Sequence, residues 1–375
     1  MANWIANDFL SFLTALILAG IIIPQILLIA FRKNLFDNIN ERKIHQGVVP
    51  RLGGIAFFPA ILFSLALVVG FNLKFFGGEA FDAISGSLLP VYFMICAVLL
   101  MFLVGIADDL VGVKYIAKFI VQIISSILIV FSGVYISNLY GLFWIEGLPE
   151  WIGWLLTSFA VVFVVNAINL IDGIDGLASG LSTVAFVFYA VLCFSFGEYV
   201  YSMIACAGAG TLLPFFYYNV FGSAKKQKKI FMGDAGALTT GILLVFLALA
   251  LMQPGHTLFA NDYNPIVVAL SPLIIPCFDV VRVYLHRVSH HRNPFLPDKC
   301  HIHHKLLALG LNQRTALCII MLWSILFIVV NLFLSPYINP TWIIGGDIAV
   351  WTLVNVGLSR AINCRERRIG EKIYD

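Results

Sequence analysis

Apolar positions in this chain do not alternate, and they do not recur on one helical face. They fill continuous runs of about twenty residues, the length a helix needs to cross a hydrocarbon core. The runs predict eleven spans, near 9–31, 53–71, 88–107, 115–137, 151–168, 176–196, 200–221, 235–252, 264–285, 315–334 and 341–359. A membrane β-barrel would instead show alternating segments of about ten residues. The expected fold is therefore an all-α polytopic membrane protein with about eleven transmembrane helices. The first run is too long for the core of a cleavable signal and no basic segment precedes it, so it reads as a span.

Composition agrees. Of the 375 residues, 61% are hydrophobic and 11% charged, against about 25% charged in a soluble domain. The seven cysteines are scattered without a CxxC and read as small core residues. No internal repeat or low-complexity segment appears. The reading is one membrane domain over 1–359 with a basic tail over 360–375, a tail suited to anionic lipid.

Charge orients the spans. With the N-terminus outside, 22 of the 23 lysines and arginines fall on the inner side, among them Arg32, Arg42, Lys43, Lys114, Lys225–Lys229, Arg292, Lys299 and the tail; only Lys74 falls outside. Cationic loops stay cytoplasmic, so the expected C-terminus is cytoplasmic. The same parity sends the polar islands Asp108-Asp109, 166–175, 231–234 and the histidines near 301 to the cytoplasmic face.

The island at 163–180 interrupts two apolar runs with Asn166, Asn169, Asp172 and Asp175 at three-residue spacing. Gly173 and Gly176 are placed to break the helix and turn the carboxylates toward one point; the plainer reading is an Asx-rich turn. Asp108 and Asp109 close the third span, where carboxylates oppose the helix dipole. Lys118 lies one turn inside the fourth, either snorkelling or facing a polar cleft. Asp234 opens the eighth, where it could simply cap. Five aspartates at one face repel one another unless a cation sits among them. Oxygen-only ligands suit Mg²⁺ or Mn²⁺ rather than zinc. The histidines of 286–314, with Cys300, raise zinc as an alternative. No second cysteine lies within ligand spacing, and adjacent His303 and His304 are expected to point apart. Asp279 and Arg282, at i and i+3, read as an ion pair.

Together these islands resemble a known family, the bacterial polyprenyl-phosphate N-acetylhexosamine-1-phosphate transferases. The matching segments are Val-Pro-Arg-Leu-Gly-Gly at 49–54, Asp108-Asp109 with Lys118-Phe119, and Asn-Ala-Ile-Asn-Leu-Ile-Asp-Gly-Ile-Asp-Gly-Leu at 166–177. They continue with Phe-Met-Gly-Asp-Ala-Gly at 231–236, Pro-Cys-Phe-Asp-Val-Val-Arg-Val at 276–283 and His-Ile-His-His-Lys at 301–305. The resemblance implies transfer of a sugar-1-phosphate from a UDP-N-acetylhexosamine to undecaprenyl phosphate, with release of UMP. It implies Asp108 and Asp109 as catalytic groups at the lipid phosphate, and Lys118 as a phosphate contact. Asp234 would be the principal Mg²⁺ ligand, with Asn169 close to the metal. Asn166, in the same motif, would contact substrate. Asp172, Asp175, His301, His303 and His304 would bind the nucleotide-sugar diphosphate, and Phe231 would stack on uracil with Asn219 nearby. The lysine that contacts uracil in the peptidoglycan-precursor branch is not evident before Pro50, where the chain reads Gln46-Gly47-Val48-Val49. Pro-Asp-Lys-Cys-His-Ile-His-His-Lys-Leu, like the eleventh span, resembles the GlcNAc-1-phosphate branch. The resemblance also suggests a bacterial inner-membrane protein, a homodimer, membrane lipid as surroundings and no nucleic-acid partner. The alternatives are a UDP-MurNAc-pentapeptide phosphotransferase and, more remotely, an anion transporter.

Overall fold

The structure, a computed structural model, describes residues 4–35, 49–254, 263–291, 300–370 and 374. Arg42, Lys43, Gln46, Gly47, Val48, Asp262, Arg292, Lys299 and Lys372 lie outside the described residues. The chain is helical: α1 (Trp4–Lys33), α2 (Gly53–Gly78), α3 (Ile84–Val111), α4 (Tyr115–Phe131), α5 (Glu150–Ile171), α6 (Leu177–Ser195), α7 (Tyr199–Phe221), α8 (Gly233–Leu251), α9 (Pro265–Ser289), α10 (Ile302–Ala308), α11 (Gln313–Leu334) and α12 (Pro340–Ile369). Each predicted span falls on one of these helices. Ten are long and apolar enough to cross a membrane; α4, at 17 residues, is a shorter apolar helix, and α10 lies in the last polar island. The protein is a polytopic membrane protein.

Helix boundaries refine the reading. Helices α2 and α3 run on from each other, broken where Gly77 adopts φ 51° and ψ −124°. Helix α3 continues to Val111, so Asp108 and Asp109 sit in its last turn. Helix α12 continues to Ile369, so the basic segment from Arg360 to Arg368 prolongs that span as helix.

Strands β1 (Asn138–Leu142) and β2 (Ile145–Gly147), a small antiparallel hairpin, were not foreseen. Its turn, Phe143-Trp144, has positive φ at both residues (54° and 59°) and carries no Asn-Gly signal. Tertiary hydrogen bonds hold it: Thr341 Oγ1 accepts from the Phe143 amide at 2.7 Å, and Asn264 donates to the Tyr140 carbonyl at 2.7 Å.

Helix α8 is the axis of the bundle. Its residues from Ala235 to Leu251 are all buried, and it packs on α2, α3, α5, α6, α7 and α9. A helix apolar all round and enclosed by protein needs small residues where neighbours cross. A Cβ on Gly54 or Gly105 would collide with the backbone of α8 at Asp234–Gly236, and one on Gly241 would meet the Val165 backbone at 2.9 Å. These contacts fix the first turn of α8, and with it Asp234.

Candidate active site

Asp109 organises the site from the backbone up. The first N–H groups of a helix have no intrahelical partner, and at α8 the Asp109 carboxylate supplies both acceptors. Its Oδ1 accepts from the Asp234 amide at 2.7 Å and its Oδ2 from the Ala235 amide at 3.0 Å. Gly233, at φ 71°, turns the chain there; a side chain at that position would meet the Arg51 carbonyl and the Asp109 carboxylate. Asp109 thus caps a helix far away in sequence, and Asp234, released from capping itself, projects its carboxylate outward.

That carboxylate meets side chains from three other helices. Lys118 Nζ lies 2.7 Å from Asp234 Oδ2 and 3.1 Å from Asp108 Oδ2, bridging the two aspartates. Asn169 Nδ2 donates to Asp234 Oδ1 at 3.2 Å. Asp108 Oδ1 accepts from the Val113 amide at 2.7 Å, which fixes the carboxylate on the turn between α3 and α4. All four side chains are partly open to solvent. Lys118 therefore faces the polar cleft, the second of the two orientations considered for it.

A second layer forms around the break after α5. Asp172 is exposed at the surface, and the surrounding protein still displaces part of its water. That loss of water, then Asp175, pushes its carboxyl up to about 7, Arg51 opposes the shift and Asp234 adds to it; access to water moderates the effect. Asp175 pairs with Lys229, Nζ to Oδ2 2.5 Å, and the same ammonium lies 5.9 Å from the centre of the Phe231 ring. Asn219 is buried and works as a strut: Oδ1 accepts from the Gly176 amide at 2.6 Å and Nδ2 donates to the Ile230 carbonyl at 2.8 Å. The two glycine-containing motifs are laced together where Phe231 donates to the Pro50 carbonyl and Gly53 and Gly54 donate to the carbonyls of Phe231 and Met232. An open cavity of about 580 Å³ lies beside Asp175 and Lys229 and is also lined by Asn312, Gln313, Arg314 and Thr315 at the start of α11.

The histidines belong to α10 and its entry. His301 Nδ1 lies 2.8 Å from Asp279 Oδ2, while Asp279 Oδ1 takes the Ile302 amide at 3.1 Å and Arg282 at 2.8 Å. The predicted Asp279–Arg282 pair is present, and it also anchors the histidine segment. The expectation that His303 and His304 point apart is corrected: their ring centroids lie 4.2 Å apart, because the first turn of α10 gathers them beside His301. His303 is buried with no hydrogen-bond partner on either ring nitrogen among the described residues, and its ring rests on Gly173, where a Cβ would strike Nε2. Burial, then His304, pushes His303 down to about 3, so this imidazole is neutral.

The segment from 91 to 252 matches the family model for glycosyl transferase family 4. An undecaprenyl-phosphate α-N-acetylglucosaminyl 1-phosphate transferase of Yersinia pestis is 30% identical over 308 residues, which cover 81% of this chain and 78% of the relative. A protein of the same name from Salmonella typhi is 32% identical, with 78% and 75% covered. A probable undecaprenyl-phosphate N-acetylglucosaminyl 1-phosphate transferase of Bacillus subtilis is 30% identical, with 84% and 82% covered. The chain belongs to glycosyl transferase family 4.

In this family 4 enzyme, Asp108, Asp109, Lys118, Asn169 and Asp234 meet at one point, and Asp172 lies within electrostatic reach of Asp234. The histidines reach the site through Gly173. Asn166 is turned aside: it exchanges hydrogen bonds with Gln122, donating at 2.7 Å and accepting at 3.3 Å, and so fastens α5 to α4. Sequence reasoning missed Gln122 and Lys229 as site residues, and it quoted Arg51 within the 49–54 motif without giving it a role. Gln122 lies four residues after Lys118, on the same helical face, and Lys229 lies two before Phe231; those spacings were the available signals.

Proposed function

We propose that this enzyme transfers N-acetylglucosamine-1-phosphate from its UDP derivative to undecaprenyl phosphate, at the cytoplasmic face of a bacterial inner membrane. The observation that carries the reading is the convergence of Asp108, Lys118, Asn169 and Asp234, from four helices, on one polar point at the end of an apolar bundle. The relatives' names support undecaprenyl phosphate as acceptor and N-acetylglucosaminyl 1-phosphate as the group moved, the family resemblance supports a UDP donor, and the cation distribution supports an orientation with the N-terminus outside and eleven spans.

An oxygen of the lipid phosphate attacks the β-phosphorus of the donor. The bond from that phosphorus to the bridging oxygen breaks, and UMP leaves with the electron pair. A lipid phosphate is already an anion at neutral pH, so it needs positioning more than deprotonation. Lys118, between Asp108 and Asp234, is placed to hold phosphate. We assign the lipid-phosphate side to Asp108, since both oxygens of Asp109 are occupied by the α8 backbone.

Asp234 and Asn169 would hold Mg²⁺. Among the described residues no three His, Cys, Asp or Glu side chains form a complete metal cage. One carboxylate and one amide oxygen fit an ion that takes water and substrate phosphate for its other positions. When bound there, Mg²⁺ would supply charge neutralisation for the diphosphate and the departing UMP. Asp172, Asp175 and the histidines line the donor side, and Lys229 beside Phe231 offers a cation in place of the uracil-contacting lysine that is not evident before Pro50.

The test is UMP release by purified protein with undecaprenyl phosphate and a panel of UDP-sugars. UDP-N-acetylglucosamine should be used best, and Asp234→Ala should abolish turnover. Release from no donor, or near-normal turnover by the variant, overturns the reading.

A further inference from the structure

Beyond its site, a buried polar contact joins α10 to α12. Lys305 is 6% exposed, yet among the described residues no carboxylate is a hydrogen-bond partner of it. Its Nζ reaches the Asn355 carbonyl and Oδ1, both at 3.3 Å, and Ser359 Oγ at 3.0 Å. Burial first, then Arg282, pulls this ammonium down to about 8. An apolar side chain would pack α10 on α12 at less cost. What the lysine adds is direction, since three acceptors at fixed places on α12 set the rotation of α10 about its own axis.

A second latch lies one turn further on. Arg365 donates to the Ala308 carbonyl at 2.8 Å, at the C-terminal end of α10, and lies where a side chain on Gly310 (φ 87°) would stand. On its other side α10 presses the His303 ring against Gly173, between Asp172 and Asp175. Helix α10 is thus wedged between α12 and the turn that carries the donor-side carboxylates.

We propose that α12 is a positioning element for the donor side of the site, with Lys305, Asn355, Ser359 and Arg365 as its positioning residues. None of them touches the reacting atoms; they act through α10 and its histidines. This rests on the reading that the histidines face the donor.

The test combines amide exchange with steady-state kinetics on the full-length protein in detergent micelles. In Asn355→Leu/Ser359→Ala, exchange of the segment 300–310 should speed up while that of α8 stays the same. KM for UDP-N-acetylglucosamine should rise about tenfold, the loss expected when a charged donor loses its acceptors. The value of kcat should stay within about threefold and KM for the lipid phosphate should not move. Lys305→Met should behave alike, and Lys305→Gln, which keeps a donor, should recover part of the loss. A merely structural role lowers the amount of active enzyme and leaves KM alone; that result, or unchanged exchange at 300–310, overturns the proposal. His301→Ala and His304→Ala are measured beside them. If these raise donor KM and the α12 variants do not, the positioning role fails alone. If they leave donor KM untouched, the donor-side reading fails and the inference falls with it.

Discussion

Replacing Asp109 by alanine removes both acceptors that hold the first turn of α8. Each is a hydrogen bond from a backbone amide to a carboxylate, at 2.7 and 3.0 Å, a type of bond that contributes about 1.5–3 kcal/mol. Losing two costs about 3 kcal/mol at the low end. For a chain of this length, with a shift of roughly 1–2 °C per kcal/mol, Tm should fall about 3–6 °C. Asp109→Asn keeps one acceptor oxygen and should lose about half as much. Both variants should also lose turnover, because a relaxed first turn moves Asp234 away from Asn169 and Lys118. The measurement is a thermal unfolding curve of the detergent-purified variants beside their kcat. A general base predicts the opposite pattern, turnover lost with Tm intact. If Asp109→Asn melts like the parent and is nearly inactive, the capping argument is wrong and Asp109 acts on substrate.

Other perturbations test neighbouring parts of the argument. Lys118→Gln leaves Asp108 and Asp234 facing each other without their shared cation, so added Mg²⁺ should raise Tm more in the variant than in the parent; equal shifts in a thermal-shift titration would count against the metal assignment. Gly54→Ala and Gly105→Ala place a methyl on the α8 backbone, where overpacking costs about 1–3 kcal/mol or more, and should reduce the monodisperse fraction on size-exclusion chromatography. Asn219→Leu removes the strut between Gly176 and Ile230 and should lower Tm while leaving a protein of normal helical content by circular dichroism. His303 is held at about 3, below its usual 6.5, so the unfolded chain takes up a proton that the folded chain refuses. Stability is therefore full above about pH 6.5 and declines as pH falls toward 3, by at most about 1.4 kcal/mol per unit. His303→Gln should flatten the fall in Tm between pH 7 and pH 5; an unchanged slope would assign it to other groups.

The helices were legible because a span announces itself by length and apolarity alone, and every predicted run falls on one. The hairpin was not, because its turn residues, Phe143 and Trp144, carry no turn signal; Thr341 holds Phe143 and Asn264 holds Tyr140, from some two hundred and one hundred and twenty residues away. The site motifs could be read as a set, since their parity put them at one end. Their division of labour could not. Asp109 and Asp108 are adjacent and chemically identical, and only the approach of α8 makes one a cap and leaves the other on Lys118. Asn166 and Asn169 share a motif, but Gln122 claims the first and Asp234 the second. The role of Lys305 depends on α12, fifty residues later, and no local pattern reveals it.

The enclosure of α8 also bears on the surroundings in which the enzyme works. A bilayer that thickens or thins makes helices tilt or stretch to match it, and the helices that feel this are those with broad outward surfaces, such as α1, α11 and α12. Helix α8, buried among its neighbours, has no such surface. The carboxylate at its tip is held in register by Asp109 below it and by Lys118 and Asn169 beside it, so hydrophobic mismatch reaches it only after the outer helices have given way.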